Sequence, residues 1–142
     1  MDTPSPGQIM RLWFEEVWNR RDGSRIASYL APHGVIYALD ESKTDARGPE
    51  EFRAFHSRFL DAFSNLQFTL HDVIESGPLA ASRWSVRLTH SGDALGVPAT
   101  GATTTITGMA MIRVEDGMVV EAWNEWDRLK LATTCRMIDP AG

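Results

Sequence analysis

The apolar residues of this chain repeat at about 3.6 positions up to residue 63 and at about 2 beyond it. That change of period constrains the fold more than any other feature. Upstream, Met10, Trp13, Phe14, Val17 and Trp18 fall at i, i+3, i+4, i+7 and i+8, one stripe of an amphipathic helix. Ser5-Pro6-Gly7-Gln8 supplies its start, with a serine N-cap, proline in the first turn and glutamine completing a capping box. Asp22-Gly23 ends it, and Ile26, Tyr29 and Leu30 predict a short second helix closed by Pro32. Val35 to Leu39 reads as a strand and Asp40 to Gly48 as a polar loop. A third helix starts at about Pro49, with Phe52, Phe55, His56, Phe59 and Phe63 on one side.

Downstream, Leu66, Phe68, Leu70 and Ile74 mostly alternate with polar residues up to a turn at Ser76-Gly77-Pro78. Trp84, Val86, Leu88 and His90 share one strand face, and Arg83, Ser85, Arg87 and Thr89 the other. A Gly/Pro-rich loop from Ser91 to Gly101 leads to a strand over Thr103 to Val114. Asp116-Gly117 is a hairpin signal, and the returning strand runs from Met118 to about Trp126. A last helical turn occupies Arg128 to Thr134. Helices followed by an antiparallel meander give an α+β order, not βαβ. The apolar face of the sheet needs cover, and only the leading helices supply it. The expected architecture is a cone: a curved antiparallel sheet wrapped over N-terminal helices, with a cavity inside.

At 142 residues the chain has room for one domain, 1–142, on the prior of roughly 150 residues per domain. Its 43% hydrophobic and 23% charged residues are ordinary for a globular protein. Fourteen basic against nineteen acidic residues leave a net charge of −5, and no basic cluster offers a face to phosphates. Nucleic acid is therefore not an expected partner. No run approaches the ~18 apolar residues of a membrane span, and MDTPSPGQIMRLWF lacks the pattern of a secretory signal. A single cysteine, Cys135, cannot form an internal disulfide, which fits a reducing cytoplasm.

Several chemistries find no support in the spacing. Gly92, Gly96 and Gly101 lack the dinucleotide-binding pattern, and no Walker loop, nucleophile-elbow serine or CxxC occurs. His33, His56, His71 and His90 are scattered, so a metal site on them would need long-range assembly and none is expected. What remains is a set of polar residues in apolar settings. His90 ends an apolar strand face, where it either contacts a substrate at a cavity rim or holds the turn before Ser91-Gly92. Asp127 follows Trp123-Asn124-Glu125-Trp126; a carboxylate between tryptophans can be desolvated into a usable acid or base. It is also well placed to cap the final helix, and strict alternation puts it with Glu121 and Glu125 on the solvated face. His56 shares the Phe52/Phe55/Phe59 face, as a core or a substrate contact. Tyr37 is a candidate hydrogen-bond donor, while Trp84, Trp123 and Trp126 are candidates for an aromatic pocket wall, with Phe59 beside His56.

RGPEEFRAF, RWSVRLTHSGDALGVPATG and MIRVEDGMVVEAWNEWD together resemble the SnoaL-like polyketide cyclases. These lie within the wider fold of nuclear transport factor and ketosteroid isomerase, also called cystatin-like. The likeness covers Gly48 to Asp127, and the preceding helices fit the same fold. It implies an α+β cone, a homodimer through the outer sheet face, and cofactor-free intramolecular aldol cyclisation of a hydrophobic polyketide ester. It maps the acid/base aspartate that ends the last strand onto Asp127 and the histidine of H-x-G onto His90. The chain departs from the pattern at Ser64-Asn65, in the C-terminal ATTCRMI, and where Met109 and Met111 occupy positions that cyclases give a polar partner. Two competing functions follow from the same fold. One is a ketosteroid-isomerase-like proton shuttle with Asp40 as base; the other is a binding module that keeps the cavity without the chemistry. An epoxide hydrolase is weaker, since no closely spaced Arg/Asp pair is present.

Overall fold

A computed structural model describes residues 3–39 and 44–138. Helix α1 (Pro6–Leu12) starts as its sequence requires. The Ser5 hydroxyl accepts from the Gln8 N–H at 3.2 Å, and Gln8 Oε1 accepts from the Ser5 N–H at 2.8 Å. Two donors without helical partners are thereby satisfied. The apolar stripe predicts an unbroken α-helix, but the chain widens into a π-helix over Trp13–Asn19. Tertiary partners account for the difference. His56 Nε2–H donates to the Val17 carbonyl at 2.6 Å, while Arg21 N–H, that carbonyl's α-helical partner, turns to Trp18 O. The Asn19 amide exchanges two hydrogen bonds, of 2.7 and 3.0 Å, with the Phe68 backbone on an edge strand.

A single 3₁₀ turn (Gly23–Arg25) and α2 (Ile26–Tyr29) lead directly into β1 (Leu30–Tyr37). The strand therefore starts earlier than Val35, with Pro32 inside it, in the stretch where its register against the neighbouring strand shifts. Proline lacks a ladder donor and is tolerated at such an irregularity. After β2 (Ala46–Arg47) come α3 (Gly48–Ala62), β3 (Phe63–Ser76), β4 (Leu79–His90), β5 (Thr103–Glu115), β6 (Met118–Trp126) and α4 (Arg128–Thr134). Phe63, expected on the third helix, is instead the first residue of β3, with φ of −127°. Asp116 and Gly117 have φ of 51° and 76°, the conformation of a type I′ hairpin.

The sheet order is β2-β1-β6-β5-β4-β3. All pairs are antiparallel except β1 with β6, which run parallel, so the expected all-antiparallel sheet is corrected at that one seam. The helices lie on one face of the curved sheet, and the class is α+β as expected. Ile9, Val17, Phe52, Leu88 and Ile106 are wholly or almost wholly buried between the layers. Burying each such side chain contributes roughly 1.5–3 kcal/mol. Among the described residues, no helix is long and apolar enough to cross a membrane.

Candidate functional site

The strand period of 2 sends every second side chain under the helices. On β6 these are Ala122, Asn124 and Trp126; on β5, Ala110 and Ile112; on β4, Trp84 and Val86. The π-helix brings Trp13, Phe14 and Trp18 against them, and α3 adds Phe52, Phe55 and Phe59. Together with other apolar neighbours they enclose a cavity of about 90 Å³. Among the described residues, none of the twenty that line it is ionisable, and only Asn124 carries a purely polar side chain. The lining residues that keep solvent exposure are Trp13, Leu39, Phe55, Asn124 and Trp126, which identifies them as the mouth.

Shape on the inner wall depends on Gly108. A Cβ there would stand 2.4 Å from Trp84 Cζ2 and 2.8 Å from Trp126 Cβ. Glycine lets the Trp84 ring lie flat across β5, with Phe14 and Phe68 packed against it at 6.1 and 5.2 Å. The Trp84 indole N–H is buried without a partner among the described residues. Asn124 is the residue that the sequence reading passed over. Its signal was available, since it is a lone polar residue in phase with the apolar positions Val120, Ala122 and Trp126.

Of the sequence candidates, Phe59, Trp84 and Trp126 line the cavity. The others stand elsewhere. Asp127 is exposed, and its Oδ1 accepts from the Lys130 N–H at 3.0 Å, capping α4. Alternation along β6 turns it away from the cavity face that Asn124 occupies. His90 is fully buried but is not a lining residue. The Thr100 N–H donates to its Nδ1 at 3.2 Å, which leaves the ring proton on Nε2, where no described residue accepts it. With its backbone bonds to Ala102 and Gly101, His90 pins the loop between β4 and β5.

The next two residues are structural as well. Ser91 and Gly92 both donate to the Ala62 carbonyl at 3.0 Å, and a Cβ on Gly92 would meet Asp61 O at 2.0 Å. Tyr37 and Trp123 stack on the outer sheet face, with centroids 5.8 Å apart, so they are not pocket walls. The Tyr37 hydroxyl donates to Glu121 at 3.0 Å, and that bond, helped by partial burial, raises its pKa. His56 lies in the core, edge-on to Trp18, behind the lining and not in it. Burial pushes its pKa down, against the opposing pull of its bond to Val17, with Arg21 and Arg53 adding to the depression. Asp40 lies outside the described residues.

Among the described residues, no three His, Cys, Asp or Glu side chains converge as metal ligands. Arg113, Arg83 and Arg25 pair with Glu121, Asp72 and Glu16 at 3.3, 2.9 and 3.1 Å, none of them in the cavity. The site can desolvate an apolar ring system, stack on it, and offer it one neutral amide.

The model of the family described as SnoaL-like polyketide cyclase matches residues 8–134. No curated protein matches the chain. Among solved structures, TsrD from Streptomyces laurentii superposes with a TM-score of 0.80 at 26% identity, covering 97% of this chain and 99% of that one. IdmH from Streptomyces antibioticus, assigned as a polyketide cyclase, gives 0.76 at 28% identity over 94% and 97%. AclR from Streptomyces galilaeus, assigned as a hydroxylase, gives 0.78 at 26% identity over 94% and 84%.

Proposed function

The chain belongs to the SnoaL-like polyketide cyclase family, and on that premise we propose that its cavity takes up a flat, hydrophobic, carbonyl-bearing small molecule of the polyketide type. The observation that carries this reading is a wall of aromatic and aliphatic side chains broken, among the described residues, by a single amide. The Asn124 amide N–H₂ donates to a ligand carbonyl and its oxygen accepts from a phenol or enol. A charged ligand would lose its hydration with no ion pair to replace it, so the ligand is neutral where it meets the wall. Tryptophan fluorescence tests this directly. Titration with a neutral anthraquinone methyl ester should give saturable 1:1 quenching that is unchanged between pH 5 and 8. Quenching that never saturates would defeat the proposal.

Family membership and the likeness to IdmH support a second reading, cofactor-free aldol cyclisation. Here the cavity holds a chain folded so that an enol carbon faces a ketone carbon, an advantage in effective concentration. A base first takes the α-proton to give the enolate; the enolate carbon then bonds to the ketone carbon, whose C=O π pair moves onto oxygen and takes up a proton. Asp127, directly after the lining residue Trp126, is the candidate base, and it must first release its cap on Lys130. His90 would act only indirectly, through the loop it pins. Turnover lost in Asp127→Asn would favour cyclisation; binding that ignores the change favours the uptake reading.

The same proposal covers assembly and location. Ile74, Ala81, Met111, Trp123 and Tyr37 form one cross-strand row on the outer face, and Ile74, Met109 and Met111 are 70%, 58% and 39% exposed. Such a row suits a homodimer through the outer face in the reducing cytoplasm. Met111→Glu should shift a dimer to monomer in light scattering.

A further inference from the structure

The cavity, at about 90 Å³, is smaller than its assigned ligand class needs. An apolar cavity of ~150 Å³ holds one benzene. A ligand of two or more rings therefore has to reach past the mouth residues as well as fill the cavity. Two of the five mouth residues, Leu39 and Trp126, are tied to each other. The Trp126 indole N–H donates to the Leu39 carbonyl at 3.1 Å. Arg128, at the start of α4, reinforces this tie. Its guanidinium lies over the Trp126 ring, 5.0 Å from the centroid, and donates to the Ala38 carbonyl. Glu125 stands 3.7 Å from the same group, and the Arg128 side chain is only 12% exposed.

Ala38 is held in a conformation that it does not favour. Its φ is +52°, in the left-handed region, which is strained for a residue with a Cβ. Its N–H donates to Asp45 Oδ1 at 2.9 Å, and the Leu39 N–H donates to Thr44 O at 2.8 Å. Left-handed Ala38 thus presents its carbonyl to Arg128 while Leu39 covers the mouth. Without the Arg128 contact, one of the described bonds that hold Ala38 in this conformation would be gone.

We propose that Arg128, Trp126 and the Ala38–Leu39 backbone form a clasp that governs how fast a ligand reaches and leaves the cavity. The inference rests on the cavity being the ligand site. Its ligand class is a neutral fused or linked aromatic that occupies the mouth as well as the cavity. Arg128 does not touch that ligand; it acts through the Trp126 ring and the Ala38 carbonyl.

Stopped-flow fluorescence with N-phenyl-1-naphthylamine, a neutral probe that brightens in apolar surroundings, tests the clasp. Arg128→Met should raise both association and dissociation rates about tenfold or more, with the equilibrium constant changing far less. Ala38→Gly relieves the left-handed strain of the closed form and should slow both rates several-fold. Opposite shifts from two substitutions, neither lining the cavity, are not expected of a merely structural arginine, whose loss would lower only the unfolding midpoint. Rates within twofold of the unsubstituted protein in both variants would overturn the clasp and leave the cavity reading intact. No probe binding by the unsubstituted protein would overturn both.

Discussion

The two faces of one sheet differ in everything except their backbone. On β6, Glu121, Trp123 and Glu125 point outward, while Ala122, Asn124 and Trp126 point into the cavity. On β4, Arg83, Ser85 and Arg87 face out, and Trp84, Val86 and Leu88 face in. The outer face holds ion pairs in water, where each is worth little. Among the described residues no ionisable group lies on the inner wall, and its one purely polar side chain, Asn124, stands half-buried at the mouth.

The sharpest contrast lies between adjacent residues of β5. Gly108→Ala should destabilise by about 2–3 kcal/mol, since the new Cβ meets the Trp84 and Trp126 side chains. Its exposed neighbour, Thr107→Ala, should change stability by no more than ~0.5 kcal/mol. Urea unfolding of both variants measures the ratio, and equal effects would break the comparison.

A smaller effect concerns His56. Its folded pKa lies below the ordinary 6.5, so the unfolded chain binds more protons in between. Its stabilisation is complete above about pH 6.5 and is lost as pH falls through the folded pKa, with a slope of at most ~1.4 kcal/mol per pH unit. His56→Gln keeps a donor for Val17 without titrating and should flatten unfolding free energy between pH 5 and 6.5 apart from the carboxylates' share. Smaller again, Arg83→Ala should cost less than ~0.5 kcal/mol, because both members of its pair with Asp72 are exposed. A larger loss would mean that the outer face contributes more than its exposure suggests.

The change of apolar period located the helices, the strands and the hairpin because local spacing dictates which face each residue takes. The capping box at Ser5 and the turn at Asp116-Gly117 are local chemistry and were legible for the same reason. The parallel seam between β1 and β6 was not, since it joins residues some ninety positions apart. Nor was the π-helix, whose partners, His56 and Phe68, come from distant elements. The site was half legible. Phe59, Trp84 and Trp126 line the cavity as bulky aromatic residues, a legible signal, whereas Asn124 carries no charge and is marked only by its phase with Ala122 and Trp126. Tyr37 and Trp123 were assigned to the pocket because aromatic character alone does not report strand phase; the β6 register against β5 does.

Paired isothermal titrations of Asn124→Leu and Asp127→Asn with a neutral anthraquinone methyl ester test the central claim most directly. Asn124→Leu removes the one amide from the wall and should weaken binding roughly tenfold or more. Asp127→Asn keeps a competent helix cap and should leave affinity within twofold of the unsubstituted protein. The reverse pattern, with Asp127→Asn damaging and Asn124→Leu silent, would contradict the account and return the outward carboxylate to the centre of the site.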